Sequence, residues 1–179
     1  MSEFRIASRY AKALFEKALE TKSLDAVKGD IDNLIHMAKE SQEFVVFLQS
    51  PLYKKITKQE ALNKLFAGAN DLTKGVFMLM TDKFREAYIP AMGKVFLEMY
   101  NKYNHIVEAV VTTAVSLDAS SLKEVESYVK ENSGAKKVQL VQQINPAIIG
   151  GLTIEFGGRI YDNTISNQIR KIKKELQLA

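Results

Sequence analysis

The chain reads as an α+β protein, a helical part over residues 1–104 followed by a smaller mixed part over 105–179. Three observations predict this. Apolar residues recur three and four apart as far as Asn104. Beyond it "HIVEAVVTTAV" is rich in β-branched residues and "LTIEF" alternates apolar with polar. Finally, the pair Gly157-Gly158 divides two alternating runs in the manner of a tight hairpin.

The first helix is "FRIASRYAKALFEKALE". At a helical pitch, Arg5, Arg9, Lys12, Glu16 and Glu20 fall on one narrow stripe and leave an apolar arc of roughly 240°. A core-facing helix needs only about 100°. The arc holds Ile6, Ala7, Tyr10, Ala11, Ala13, Leu14, Phe15 and Ala18. Two uses fit such a surface. The helix can run through the centre of a bundle, or one flank near Ile6, Tyr10 and Ala13 can form part of an exposed groove for a partner helix.

Ser23 is expected to cap a second helix whose stripe is Leu24, Val27, Ile31, Leu34, Ile35 and Ala38. A short third helix, "EFVVFLQ", ends at Ser50-Pro51, because proline disfavours helical geometry in the residue before it. "TKQE" offers a capping box, Thr57 with Glu60, ahead of "ALNKLF" and a terminating Gly68. Asp71 opens a fifth helix through "VFMLMTDKFREAY", and its Val76 to Met80 segment is oversupplied with apolar side chains. Methionines there suit an adaptable groove as well as core filling. Pro90 fits the first turn of a sixth helix carrying Met92, Val95, Phe96, Met99, Tyr100 and Tyr103. The expected N-terminal architecture is a six-helix bundle.

After Asn104 a strand gives way to a helix begun by Asp118, with Leu122, Val125 and Val129 on one face and Gly134 as its stop. "KVQLVQQI" alternates as a half-buried strand. Gly150-Gly151 leads into "LTIEF", a strand and not a helix, so it lacks the helix N-terminus that a phosphate loop needs. Gly157-Gly158 turns the chain into "RIYD". Asp162, Asn163 and Thr164 then supply cap-type side chains for a terminal amphipathic helix with the stripe Ile165, Ile169, Ile172 and Leu176.

Composition narrows the function classes. Cysteine is absent, which excludes disulfides, thiolate metal sites and cysteine nucleophiles. The two histidines, His36 and His105, are too few and too far apart for a metal site. No apolar run approaches the roughly 20 residues of a membrane span, and the charged N-terminus does not read as a signal or transit peptide. No cluster of titratable groups suits acid-base catalysis, and no cofactor motif occurs. Net charge is +4, and the one local excess is Arg170 to Lys174. That cluster suits a solvated helix face. Its alternative is a freestanding helical nucleic-acid adaptor, although no aromatic platform interleaves with the charges.

The opening "IASRYAKALFEKA", the order of helical then mixed parts, and the closing "INPAIIGGLTIEFGGRIYDNTISNQIRKIKKEL" together resemble the delta subunit of bacterial F-type ATP synthases, the oligomycin-sensitivity-conferring protein of mitochondria. The resemblance spans essentially the whole chain. Thr164 stands where serine is usual in that family, and Asn167-Gln168 replaces more basic residues at the start of the last helix. The resemblance implies a non-catalytic stator component without cofactor, small-molecule substrate or nucleic acid. Its N-terminal domain would hold N-terminal helices of alpha subunits in a groove between the first and fifth helices, at Ile6, Tyr10, Ala13, Leu14, Val76, Leu79 and Met80. Its C-terminal domain would join the b subunit through residues that the resemblance does not specify. The implied location is the cytoplasmic face of a bacterial plasma membrane, held there through the complex.

Overall fold

The computed structural model describes residues 3–177. The chain divides into two compact units, Met1–Tyr100 and Asn101–Ala179, so the division falls in the last turn of a helix four residues before the expected boundary.

In the first unit the 3.6-residue period is realised as α1 (Glu3–Glu20), α2 (Leu24–Glu40), α3 (Gln42–Gln49), α4 (Lys55–Leu65), α5 (Asp71–Asp82) and α6 (Ile89–Tyr103), with a 3-10 turn at Glu86–Tyr88. They share one core. Ala7, Ala11 and Leu14 of α1, Ile31 and Leu34 of α2, Phe77 and Met80 of α5, and Met92 and Phe96 of α6 are all buried in it. Small residues on α1 let neighbours approach closely, and Gly93 does the same on α6: a Cβ there would lie 3.1 Å from Leu34 and 3.2 Å from Ile35.

Four local expectations give way to different geometry. Ser23 occupies the N-cap position of α2, yet its hydroxyl pairs with Thr21 Oγ1 at 2.7 Å and makes no cap bond. The Thr57–Glu60 capping box does not form. α4 begins three residues earlier, with extended Lys54 at its N-cap, because the inward turn of the helix carries Lys58 and Leu62 into the core. Gly68 is not the helix stop either. α4 ends at Leu65, where Phe66 turns inward and packs edge-on against Phe77 at 5.1 Å. Finally, α5 stops at Asp82 and does not run through Tyr88. Phe84 adopts a left-handed backbone, φ 55°, and Arg85 N donates back to Met80 O at 2.8 Å, closing the helix end.

The second unit contains β1 (Ile106–Thr113), α7 (Ala119–Ser133), β2 (Lys137–Ile144), β3 (Leu152–Phe156), β4 (Arg159–Asp162) and α8 (Ile165–Gln177), with a 3-10 turn at Pro146–Ile148. The sheet order is β2-β1-β3-β4. β1 and β2 are parallel, which requires the α7 crossover between them, and the remaining pairs are antiparallel. Val125 and Val129 of α7 bury themselves with Ala109, Val111, Val138, Ile154 and Phe156.

α7 has the ends its sequence predicts. Asp118 accepts from Ser121 N at 3.1 Å and from Ser120 Oγ at 2.6 Å, and Gly134 closes the helix in the left-handed region at φ 67°. The Gly157-Gly158 pair joins β3 to β4 with both residues at positive φ, 55° and 74°, and Phe156 opposite Arg159. That is the conformation a two-residue hairpin turn demands.

Candidate partner-binding surfaces

α1 and α5 pack directly against each other, and the seven residues singled out by sequence divide there into two groups. Tyr10, Leu14 and Met80 are buried core side chains. Ile6 and Val76 are half-buried on the flanks, whereas Ala13 and Leu79 face solvent, Leu79 with 47 % of its surface exposed. Tyr10, Leu14 and Met80 therefore lie beneath the surface, and of the seven only Ile6, Ala13, Val76 and Leu79 reach it.

Sequence reasoning missed a residue that joins these two helices. Arg85, just past α5, donates from Nη1 to the Tyr10 hydroxyl at 3.1 Å, and its guanidinium lies 5.9 Å from the centre of the Tyr10 ring. It ties the end of α5 to the middle of α1. No periodic pattern marks Arg85, because it lies in the irregular link between α5 and α6.

Sequence reasoning missed a second polar feature as well. Lys58 is buried, and its ammonium donates to Glu86 Oε1 at 2.6 Å and to the Leu48 carbonyl at 2.8 Å. The contact draws α3, α4 and the Glu86–Tyr88 turn together. Charged groups are rarely buried without such a partner.

In the second unit the glycine pair at Gly150-Gly151 serves the terminal helix. A Cβ at Gly150 would stand 2.8 Å from Ile165 Cδ1, and one at Gly151, φ 75°, would collide with the Asn163 carbonyl. Ile165 N donates to Gly150 O at 3.1 Å. Thr164 caps α8: its hydroxyl accepts from Asn167 N at 3.2 Å and donates to Asp162 Oδ1 at 2.8 Å. Asp162 also accepts from Thr164 N, and these bonds, the backbone one first, hold its carboxyl below the usual range. The stripe of α8 is solvent-facing, with Ile169, Ile172 and Leu176 exposed by 42, 56 and 72 %.

Other candidate chemistry resolves into structure. His36 pairs with Glu40 at 3.5 Å on an exposed helix face, and the His105 carbonyl accepts from Lys136 N at 3.0 Å where β1 begins. Among the described residues no group of three or more His, Asp or Glu could hold a metal, and no helix is long and apolar enough to cross a membrane.

Spare apolar helix surface in both units, with structural roles for the glycines and histidines, defines the class of a protein-protein adaptor. The model of the ATP synthase delta (OSCP) subunit family matches residues 6–176, and the chain belongs to that family. It is 30% identical over 176 residues to the ATP synthase subunit delta of Lactobacillus johnsonii, covering 98% of this chain and 97% of that protein. It is 31% identical over 176 residues to the subunit delta of Carboxydothermus hydrogenoformans, covering 98% and 99%. The chloroplastic subunit delta of Ochrosphaera neapolitana is 32% identical over 177 residues, again 98% and 99% covered. A chain in the cryo-EM structure of the Toxoplasma gondii mitochondrial ATP synthase hexamer shares the fold, with TM-score 0.77, 97% of each chain covered and 20% identity.

Proposed function

We propose that the protein is the non-catalytic stator adaptor of an F-type ATP synthase, linking the catalytic head to the peripheral stalk so that rotation is coupled to synthesis and proton transport. The six-helix bundle of residues 1–104 takes N-terminal helices of alpha subunits, and the 105–179 domain joins the b subunits. The complex holds the protein at the cytoplasmic face of a bacterial plasma membrane. Rotation of the central shaft exerts torque on the head, and a clamp resisting it must release slowly. Nanomolar binding corresponds to about 12 kcal/mol, within reach of a few buried anchors at each of two sites.

The observation that supports this reading is the apolar flank of α1 and α5, where Ile6 and Val76 are half-buried and Leu79 is exposed above the buried Tyr10, Leu14 and Met80. The test is capture of the tagged, full-length chain from mild detergent extracts of its host, followed by mass spectrometry. Recovery of alpha, beta and b subunits is expected. Leu79→Asp and Ala13→Arg should reduce recovery of alpha and beta without changing the melting temperature of the isolated protein. Recovery of ribosomes or nucleic acid without synthase subunits would overturn the stator role and return attention to the basic terminal helix.

A further inference from the structure

The sheet order β2-β1-β3-β4 leaves β2 as an outer strand. The hydrogen bonds at its two ends tell its backbone edges apart: Lys137 N donates to His105 O at 3.4 Å and Asn145 N to Thr113 O at 2.8 Å. The odd-numbered residues of β2 therefore turn N–H and C=O toward parallel β1, while Val138, Leu140, Gln142 and Ile144 turn theirs to the outer edge. A strand left open in this way normally carries charge, proline or a bulge that blocks further pairing. β2 does not. Its register with β1 is unbroken from Lys137 to Ile144, it holds no proline, and its one charge is its first residue. Val141 and Ile144 stay 36 and 59 % exposed. The opposite edge differs: β4 has four residues, with Arg159 at one end and Asp162 at the other.

The sequence of β2 says what fits its edge. "KVQLVQQIN" is close to a palindrome about Val141. Set antiparallel against itself on a two-fold axis through Val141, the strand places Val138 opposite Ile144, Gln139 opposite Gln143, and Val141 opposite Val141. Apolar meets apolar and amide meets amide. Leu140 against Gln142 breaks the match, and Lys137 meets Asn145, so like charges are not opposed. The same register sets the outward-turned, even-numbered residues opposite one another, so that each of their N–H groups faces a carbonyl of the second copy. An extended segment of unrelated sequence would use the same edge without calling for this symmetry.

We infer that the unassembled chain pairs with a second copy of itself through the outer edge of β2, joining the two four-stranded sheets into one. The inference is independent of the stator reading. An edge of eight residues is a small contact, below about 1,200 Å², so the dimer forms on concentration and comes apart on dilution.

Sedimentation equilibrium of the purified full-length chain, across a wide range of concentration, should show the apparent mass rising from that of one chain toward that of two. Val141→Lys and Val141→Glu each set like charges directly opposite on the axis, and each should weaken self-association by about tenfold or more. Mixed in equal amounts, the two variants should pair with each other. Val141 lies on the open face of the sheet, so circular dichroism and melting temperature should not change. The chain has no cysteine, so Val141→Cys introduces a single thiol and mild oxidation should crosslink it to its copy. Gln143→Cys, whose opposite residue is Gln139, should crosslink poorly.

A chain that stays monomeric at every concentration would overturn the inference, as would crosslinking of Val141→Cys no faster than that of Gln143→Cys. Faster crosslinking of Ile160→Cys would move the contact to β4 and overturn it too. If the unaltered chain never dimerises and Val141→Lys loses one synthase subunit on capture from detergent extracts, the edge belongs to an extended segment of that subunit instead.

Discussion

Arg85 and Tyr10 are joined twice, by a 3.1 Å hydrogen bond to the phenol oxygen and by the guanidinium lying 5.9 Å from the ring centre. The pair locks α1 to the end of α5 from below the exposed flank. Tyr10→Phe keeps the ring and deletes the bond, and should cost about 1 kcal/mol. Tyr10→Ala opens a cavity in the core and should cost about 3–5 kcal/mol. Leu79→Asp should stay within about 0.5 kcal/mol of the unaltered chain. Urea denaturation of the isolated protein checks all three. A Tyr10→Ala cost as small as that of Leu79→Asp would mean that Tyr10 does not hold the two helices together.

The buried Lys58–Glu86 pair makes an asymmetric prediction. Lys58→Ala leaves the Glu86 carboxylate buried without its countercharge and should destabilise the first unit by about 3–5 kcal/mol. Replacing both, as Lys58→Met/Glu86→Leu, should recover most of that loss, since the apolar pair needs no desolvation of charge. Equal costs for the single and double variants, measured by chemical denaturation, would contradict this account.

Gly151 is expected to tolerate no side chain. Its left-handed backbone alone disfavours alanine by about 1–2 kcal/mol, and the added Cβ would also strike the Asn163 carbonyl just before α8. Gly151→Ala should therefore loosen the α8 start. The expected signature is faster amide exchange at Ile165 and Asn167, whose N–H groups bond Gly150 O and Thr164 Oγ1. Gly157→Asn, in an open hairpin turn that asparagine also enters, should leave that exchange unchanged.

Asp118 gives a pH prediction. Hydrogen bonds from Ser120 and then Ser121 hold its carboxyl down to about 2. Because the folded-state value lies below that of the unfolded chain, the cap contributes fully above the ordinary carboxylate range. It is lost as pH falls through the folded value. Amide exchange in the first turn of α7 should thus accelerate between about pH 4 and about pH 2 beyond its intrinsic pH dependence. Asp118→Asn, which caps without titrating, should abolish the excess.

Legibility in the sequence followed physical cause. α1, α2 and α6 announce themselves by a long stripe, and Gly134, Gly157 and Gly158 by backbone angles that other residues resist. Lys58 could not be found that way. It reads as a surface charge until the Leu48 carbonyl and Glu86, 10 and 28 residues away, are folded around it. Phe84 reads as part of a helix, yet takes a left-handed backbone because Arg85 is held by Met80 O and by Tyr10. In α1 the breadth of the apolar arc was visible, whereas its division into covered Tyr10 and open Ala13 depended on where α5 and the other helices came to rest.

The strand order has a mechanical consequence. The chain enters the sheet at Ile106, the start of central strand β1, and leaves it at Asp162, whose partner Thr153 also pairs with Thr112 near the far end of β1. Tension applied between those two points runs along the strands, so it shears the β1·β3 and β3·β4 hydrogen bonds together. It does not peel them apart one at a time. With β2 paired along the other side of β1, the strand that takes the pull at Ile106 is hydrogen-bonded along both edges.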